Sequence, residues 1–300
     1  MLSFSEISVN DKEMFSERIL KYGAQASDIC FTSIYMWAEA LNFKFVEIGG
    51  LVCVISFTNT FKPYCLPPFG DMASGDFEKA IVELKRFFDE KGWQLMFRRF
   101  VKKDVERLKE IKLLEYKAEY SRDASDYVYL REDLVNLSGK KYDGKRNHIS
   151  RFKREHEGNH EYLDMKHEDI EECMALSKQY CTSGGKECVG CDTCEKVANQ
   201  RVLKNFEKLE CKGGVVKLNG DIKAFTVGEM LNANTSVTHI EKADKDINGL
   251  YPFINQQFCT NGFPETMYIN REEDMGTEGL RRAKLSYHPT RMEDKYIIYF

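Results

Sequence analysis

The sequence lacks several features that would assign a chain to a broad protein class. No apolar run approaches the roughly 20 residues that a membrane-spanning helix requires. The N-terminal residues MLSFSE do not form the basic region and apolar core of a secretory signal peptide. Strong charge bias is also missing, because the formal net charge is −4, so any contact with nucleic acid must use a local patch. We therefore expect a cytoplasmic protein.

The ten cysteines lack the arrangement of a disulfide framework. Cys30, Cys53 and Cys65 lie in apolar surroundings, where free cysteine packs as a small hydrophobic residue. Four others follow the spacing C-x6-C-x2-C-x2-C: Cys181, Cys188, Cys191 and Cys194. Two successive C-x2-C steps suit zinc or an iron–sulfur cluster. The alternative is a group of thiols on a surface loop.

The chain of 300 residues, 42% of them apolar, is long enough for one large domain or two ordinary ones. Hydrophobic periodicity predicts helices over 11–22, 28–41, 76–91, 102–111, 170–180, 196–209 and 250–258. It predicts strands over 44–48, 51–57, 94–97, 127–130, 215–218, 224–228, 236–240 and 267–270. The order of elements in the first half recurs in the second, which indicates a repeated architecture.

Two predicted strands in the second half end in dense polar clusters. His239 and Glu241 end one strand, and strict alternation would send both side chains to the same face. Asn270 ends a neighbouring strand, and an acidic run that includes Glu272 and Asp274 follows it. Strand ends beside helix N-termini are common ligand sites in α/β sheets. A base for an attacking amine is one interpretation, and a structural polar pair is the other.

Other residues near these strand ends could bind a substrate. The pair Asn248–Gly249 precedes a predicted helix and could present backbone N–H groups to a phosphate, although such a pair is also a common turn. Further candidates donate protons or hydrogen bonds: Lys242, Tyr251, Lys284 and Tyr287.

A basic segment, SGKKYDGKRNHISRFKREH, lies between the two halves at residues 138–156. If the segment is helical, Ile149, Phe152 and His156 pack inward and its cations spread over the remaining surface. One interpretation is a solvated linker helix. The other is an anion site for phosphate or an RNA backbone. The best contacts of such a site would be Arg146, Asn147, Arg151 and Lys153.

Three C-terminal segments carry a resemblance to a known family: GGVVKLNGDIKAFTVGE, HIEKADKDINGLYPFINQQF and INREEDMGTEGLRRAKLSYHP. With the basic segment and the early SDICFTSIYMW, they make the chain resemble an uncharacterised bacterial family over nearly its whole length. That family is related to the soluble catalytic domain of phosphatidylglycerol lysyltransferases. It also resembles the Fem peptidoglycan aminoacyltransferases.

The resemblance implies an α+β fold of two tandem GNAT-like (acyl-CoA N-acyltransferase-like) domains, each a mixed central sheet flanked by helices. We place the N-terminal domain at residues 1–135 and the C-terminal domain, which begins with the basic helix, at 136–300. Relatives of known function transfer an aminoacyl group from aminoacyl-tRNA to an amine or hydroxyl. The implied partners are therefore tRNA and a small-molecule acceptor.

Under this hypothesis Glu241 or Asp274 orients or deprotonates the amine, and His239 belongs to the same catalytic group. Backbone N–H groups near Gly249, with Lys242 or Lys284, stabilise the oxyanion. The tRNA end contacts the basic segment. The sequence lacks the repeated glycines of an acetyl-CoA pyrophosphate loop, so acyl-CoA is the alternative donor. A non-catalytic module that binds a ligand or RNA is the third possibility.

Overall fold

The computed structural model describes residues 2–59, 62–71, 75–109, 115–179 and 195–300. The chain divides into two compact units. The first comprises Met1–Asp126, Glu273–Gly276 and Glu293–Phe300, and the second comprises Tyr127–Glu272 and Thr277–Met292. Each unit is thus discontinuous in sequence, whereas the division made from sequence is a single cut after residue 135.

The strands of the described residues are, in chain order, β1 (Ser5–Glu6), β2 (Phe43–Ile48), β3 (Leu51–Ser56), β4 (Tyr64–Cys65), β5 (Met96–Val101), β6 (Lys117–Tyr120), β7 (Asp126–Leu130), β8 (His160–Asp164), β9 (Lys212–Leu218), β10 (Asp221–Asn232), β11 (Thr235–Ala243), β12 (Tyr268–Asn270), β13 (Arg291–Glu293) and β14 (Lys295–Tyr299). The α-helices are α1 (Lys12–Tyr22), α2 (Phe31–Ala38), α3 (Asp76–Glu90), α4 (Lys102–Leu108), α5 (Arg131–Asn136), α6 (Asp143–Glu155), α7 (Ile170–Gln179), α8 (Glu195–Lys204), α9 (Leu250–Asn261) and α10 (Glu278–Leu285). None of these helices has both the length and the apolar character needed to cross a bilayer.

In the part of the chain that the structure describes, each unit contains a seven-stranded mixed sheet. The first sheet has the order β1-β2-β3-β4-β5-β14-β6, and the second has the order β13-β7-β12-β11-β10-β9-β8. The neighbours β4 and β5 run parallel in the first sheet, as do β11 and β12 in the second. Mixed sheets with flanking helices confirm the predicted α+β class and the repeat of architecture.

The predicted hairpin between β9 and β10 is confirmed. Asn219 and Gly220 both adopt positive φ, 53° and 90°, which is the backbone that a tight two-residue hairpin turn requires. Leu218 and Asp221 are consequently paired across the turn. The hairpin fixes the register of β10 and, through β10, that of β11.

Helix α6 is the predicted basic segment, and it packs on α9 through its apolar face. Ile149 and Phe152 are buried, as predicted, and His156 is half-buried. The ring of Phe152 lies 4.7 Å from that of Phe253 in α9, centroid to centroid. Both helices share one core with Val216 of β9. Residue 145, one turn before Ile149, lies on this same side of α6.

The backbones of α6 and α9 also meet directly. Gly249 is the N-cap of α9 and has a φ of +83°. A Cβ atom on Gly249 would overlap the backbone carbonyl oxygen of His148 and would lie 3.0 Å from the Cβ of Phe152. The side chains of His148 and Asn248 add a contact of 3.0 Å between Nδ1 and Oδ1. The start of α9 is therefore covered on this side by α6.

A fully buried lysine joins the elements of the first unit. Lys295 of β14 donates from Nζ to Asp126 Oδ1 at 2.6 Å and to Asp28 Oδ2, and Nζ lies 3.9 Å from Glu273 Oε2. Arg99 contacts Asp28 and Glu273 as well. Burial alone would lower the pKa of Lys295, but attraction to the three carboxylates outweighs it and raises that pKa. Lys295 is therefore charged and neutralises buried carboxylates.

Replacing Lys295 should destabilise the protein strongly. In Lys295→Met the buried carboxylates lose a counter-ion that Arg99 only partly replaces, and breaking a buried pair costs about 3–5 kcal/mol. Urea unfolding followed by circular dichroism measures this loss. The control Lys117→Met, in the exposed strand β6, should leave the urea midpoint close to that of the wild type. Equal midpoints for the two variants would contradict the structural role of Lys295.

Gly249→Ala should also destabilise the protein, by more than a matched glycine replacement does. The control is Gly158→Ala, because Gly158 has a φ of +75° and no atom within 4 Å of the added Cβ. Both variants lose about 1–2 kcal/mol to left-handed backbone strain, and Gly249→Ala loses about 1–3 kcal/mol more from overpacking. Thermal and urea unfolding of both proteins measure the difference, and no difference would mean that α6 does not cover α9.

Candidate functional site

The parallel strands β11 and β12 are paired over only three residues each. Thr235–Val237 pairs with Tyr268–Asn270, and β12 then ends while β11 continues to Ala243. His239, Glu241 and Lys242 of β11, and the polar residues after Asn270, therefore follow the paired segment. The structure brings the side chains of Glu241 and Arg271 together beyond this paired segment.

A β-bulge separates His239 from Glu241. Ile240 pairs with Val227 and Thr238 with Gly228, so His239 has no partner in β10. His239 Nε2 lies 3.0 Å from Glu229 Oε1, and its Nδ1 lies 2.8 Å from Glu272 Oε1. Thr226 is the β10 partner of Glu241, so these two side chains lie on the same face of the sheet. Glu229 follows Thr226 by three positions and therefore lies on the opposite face of β10. The expectation that His239 and Glu241 share a face is therefore wrong.

Glu241 accepts hydrogen bonds on both of its carboxylate oxygens. Arg271 Nη2 donates to Oε1 and Asn255 Nδ2 of α9 donates to Oε2, each at 2.9 Å. The side chains of Glu241 and Arg271 are 14% and 13% exposed. Burial would lower the pKa of Arg271, but attraction to Glu241 outweighs it and raises that pKa. The pair is thus a charged, largely buried ion pair.

Two buried polar atoms beside this ion pair have no hydrogen-bond partner in the described part of the chain: Arg271 Nη1 and Asn255 Oδ1. The Arg271 guanidinium lies over the ring of Tyr287, 4.9 Å from the centroid, and 5.8 Å from that of Tyr129. Leaving a buried donor without a hydrogen-bond partner costs about 1–3 kcal/mol of stability. Such atoms commonly bind a ligand or a water molecule. Here one donor and one acceptor are available.

Lys145 of α6 completes this group, which we call the Glu241 cluster: Glu241, Arg271, Asn255, Tyr287 and Lys145. Lys145 Nζ lies 3.9 Å from the centroid of the Tyr287 ring. Burial, reinforced by repulsion from Arg271 and opposed by attraction to Glu241, lowers the pKa of Lys145 to about 8. A large fraction of Lys145 is therefore neutral at mildly alkaline pH.

The turn after β12 holds Arg271 in place. Asn270 Oδ1 accepts a hydrogen bond from the backbone N–H of Glu272 at 2.8 Å, and Glu272 has a φ of +56°. Lys284 Nζ donates to the backbone carbonyl of Arg271 at 2.6 Å. Tyr129 Oη in turn donates to the carbonyl of Lys284 at 2.8 Å. Asn270 and Lys284 thus shape the turn from buried positions, and their direct roles toward a substrate stay predictions.

Asp274 belongs to the first unit, not to the unit of Glu241. Its side chain is fully buried. Oδ2 accepts from Arg122 Nη1 at 3.2 Å, and Oδ1 accepts from the backbone N–H of Gly276 at 2.9 Å. The structure therefore places Asp274 in a turn and does not bring it into the Glu241 cluster.

The predicted phosphate site at Asn248–Gly249 lies at the start of α9, which α6 covers. Lys242 Nζ lies 2.7 Å from Glu195 Oε1, and Tyr251 is half-buried against the core of the unit. These contacts leave the predicted binding roles untested. The predicted metal ligands, Cys181, Cys188, Cys191 and Cys194, lie outside the described residues.

The predicted RNA contacts on α6 divide into two kinds. Arg146 donates to the backbone carbonyls of Leu137 and Gly139 and to Asp143, so its guanidinium is committed to the preceding loop. Asn147, Arg151 and Lys153 are exposed. Arg151 Nε pairs with Glu155 Oε1 at 2.7 Å on the surface.

Three residues of the Glu241 cluster were absent from the sequence-based candidates: Lys145, Asn255 and Arg271. Arg271 directly follows a predicted strand, and Lys145 lies four residues before the inward-facing Ile149. Helical spacing could therefore have indicated that Lys145 shares the buried face of α6. Nothing in the sequence distinguishes Asn255 from other polar residues of its helix.

Solved structures of other proteins resemble this fold. A conserved protein of unknown function from Bacteroides thetaiotaomicron VPI-5482 matches over 100% of both chains, with 31% identity and a TM-score of 0.90. L-PGS from Bacillus licheniformis matches over 96% of this chain and 91% of its own, with 17% identity and a TM-score of 0.66. FemX matches over 99% and 97%, with 9% identity and a TM-score of 0.60. These two likenesses confirm the predicted tandem GNAT-like, Fem-like fold.

Sequence comparison identifies the family. An uncharacterized protein of Mycoplasmoides gallisepticum is 25% identical over 193 residues, which cover 61% of this chain and 59% of that protein. The family profile described as "Phosphatidylglycerol lysyltransferase, C-terminal" matches residues 21–299. That match spans nearly the whole chain, and it agrees with the fold and with the resemblance carried by the C-terminal segments. The chain therefore belongs to the phosphatidylglycerol lysyltransferase C-terminal domain family.

Proposed function

We propose that the protein transfers an aminoacyl group from aminoacyl-tRNA to an amine or hydroxyl acceptor, and that the Glu241 cluster is the site of transfer. One observation carries the proposal: Arg271 presents a buried N–H donor, Nη1, without a partner in the described part of the chain. Membership of a lysyltransferase family supplies the reaction class.

Acyl transfer places negative charge on the ester carbonyl oxygen as the tetrahedral intermediate forms. A fixed cationic donor in a water-poor site stabilises such an oxyanion. Arg271 fits this role because Glu241 holds Nη2 and leaves Nη1 for the substrate. Asn255 Oδ1 offers an acceptor beside it, suited to an amine N–H.

Glu241 serves as a positioning residue in this proposal. Both of its oxygens accept hydrogen bonds from side chains, one of them from the guanidinium of Arg271. Positioning alone contributes a large part of the rate in reactions of this type. A strong nucleophile is therefore not required.

The packing of α6 on α9 favours aminoacyl-tRNA over acyl-CoA as the donor. A pyrophosphate is commonly bound at the N-terminus of a helix, where free backbone N–H groups converge. At α9 the N-cap, Gly249, packs against the carbonyl of His148, which repels an anion. The exposed cations of α6 instead offer contacts for a phosphate backbone.

Removing the Arg271 cation should abolish most transfer. We expect Arg271→Gln to lower kcat/KM by about 10²–10³-fold, as loss of an oxyanion donor does. The assay incubates the protein with tRNA charged with radiolabelled amino acids and phosphatidylglycerol vesicles or small amines, and follows label leaving the tRNA. Arg282→Gln, on the exposed face of α10, is the control and should retain activity. Transfer from acetyl-CoA, with none from any aminoacyl-tRNA, would overturn the proposal.

Reversing exposed charge on α6 should weaken tRNA binding and its dependence on salt. Each phosphate contact contributes roughly one unit to the slope of log K against log salt. The double variant Arg151→Glu, Lys153→Glu should therefore lower that slope by about two, as measured by filter binding between 50 and 200 mM salt. The same reversal at Lys79 and Arg86 on α3 is the matched control. An unchanged slope would remove α6 from the tRNA interface.

A further inference from the structure

Two cationic side chains share one aromatic ring in the Glu241 cluster. Lys145 Nζ lies 3.9 Å and Arg271 Cζ lies 4.9 Å from the centroid of the Tyr287 ring. An aromatic ring attracts one cation at its face by about 0.5–2 kcal/mol. A second cation so close to the same ring is repelled by the first.

If Lys145 and Arg271 both keep their protons, the Glu241 cluster carries two positive charges against the one negative charge of Glu241. Glu241 is the carboxylate that acts on both, and it is hydrogen-bonded to Arg271. The nearby phenols are neutral, because burial raises the pKa of Tyr287 and of Tyr129. An arginine keeps its proton at any pH that proteins tolerate. Lys145 is thus the member of the cluster that can give up charge.

Among the described residues, Glu241 is the carboxylate whose charge acts on Lys145. Helix α9, packed against α6, carries the ionisable side chains Tyr251 and Cys259, and burial raises the pKa of each. Lys284 adds a cation at the Arg271 turn. The segment before α6 adds Lys140 and Lys141, and Lys141 Nζ lies 3.5 Å from Asp133 Oδ2.

We propose that Lys145 is a catalytic residue that accepts the proton of the attacking amine or hydroxyl; this inference rests on the proposed function. Its Nζ and the Arg271 guanidinium both contact the Tyr287 ring, so a substrate bound at this ring meets both groups. The other candidates are committed: both oxygens of Glu241 accept hydrogen bonds, and both ring nitrogens of His239 contact carboxylates.

The proton then moves in a closed cycle. The acceptor nitrogen or oxygen forms a bond to the ester carbonyl carbon, and its proton passes to neutral Lys145 Nζ. The tetrahedral intermediate collapses, and the bond between the carbonyl carbon and the ribose oxygen of tRNA breaks. The Lys145 ammonium returns the proton to that ribose oxygen. The products are an amide or ester and a tRNA with a free hydroxyl, and Lys145 is neutral again.

The first test compares Lys145→Arg with the wild type across pH 6–10. The wild-type kcat should rise with pH and level off above about pH 8, where Lys145 is neutral. Lys145→Arg keeps the positive charge but cannot accept a proton. Its kcat should fall by about 10²–10⁴-fold, and the change near pH 8 in the pH profile of kcat should disappear. Its KM for tRNA should stay within about twofold of the wild-type value. Lys204→Arg, at an exposed position of α8, is the control and should keep the wild-type kcat and its change near pH 8.

The second test measures Lys145 without any substrate. Trace acetylation with acetic anhydride at a series of pH values, followed by mass spectrometry, gives the pH at which each lysine becomes reactive. Lys145 should become reactive near pH 8, well below the pKa of about 10.4 of an unperturbed lysine side chain. A Lys145 profile centred near that unperturbed value would overturn the inference. Urea unfolding of Lys145→Arg and Lys145→Met controls for loss of fold.

The outcomes separate the two proposals. If the wild type transfers aminoacyl groups and Lys145→Arg keeps its rate and pH profile, the role of Lys145 is overturned and the proposed function stands. If the wild type transfers nothing from any aminoacyl-tRNA, the proposed function falls and the inference falls with it. Loss of kcat and of the pH break in Lys145→Arg, with tRNA affinity kept, supports both.

Discussion

The packing of α6 on α9 is the contact on which the features of the second unit depend. Phe152 against Phe253 buries the apolar face of α6, and Gly249 allows the two backbones to touch. The same contact turns Lys145 toward Tyr287 and leaves Arg151 and Lys153 on the surface. One helix therefore contributes to the core, to the Glu241 cluster and to a cationic surface.

The ion pair between Glu241 and Arg271 is not best explained as a stabilising device. Burying two charges costs several kcal/mol per ion before their attraction is counted, and Arg271 Nη1 remains unsatisfied. Apolar residues of similar volume would often give equal or greater stability. The turn formed by Asn270, Glu272 and Lys284 nevertheless holds Arg271 in this position. A buried ion pair that costs free energy and is nevertheless held in position by its neighbours is typical of a site organised for a ligand.

Local pattern predicted most of the longer elements of the fold, because alternation and helical spacing are local properties, but it missed short elements such as β6, β8 and α5. The hairpin at Asn219–Gly220 and the inward face of α6 follow directly from residue types. The bulge at His239 broke the alternation that the prediction assumed. Gly228 in the partner strand was the available signal, since a glycine inside a strand often marks a bulge. No comparable signal marks Asp274, because the return of residues 273–276 to the first unit is not a local property of the sequence.

The position of β14 has a consequence for how the chain is made. This strand, residues 295–299, lies between β5 and β6 in the first sheet and carries the buried Lys295. N-terminal domains generally fold first as they leave the ribosome. Here the first sheet lacks its strand between β5 and β6, and its buried carboxylates lack Lys295, until residues 295–299 have been synthesised. The first sheet is thus completed only after strands β7 to β12 of the second sheet have been made.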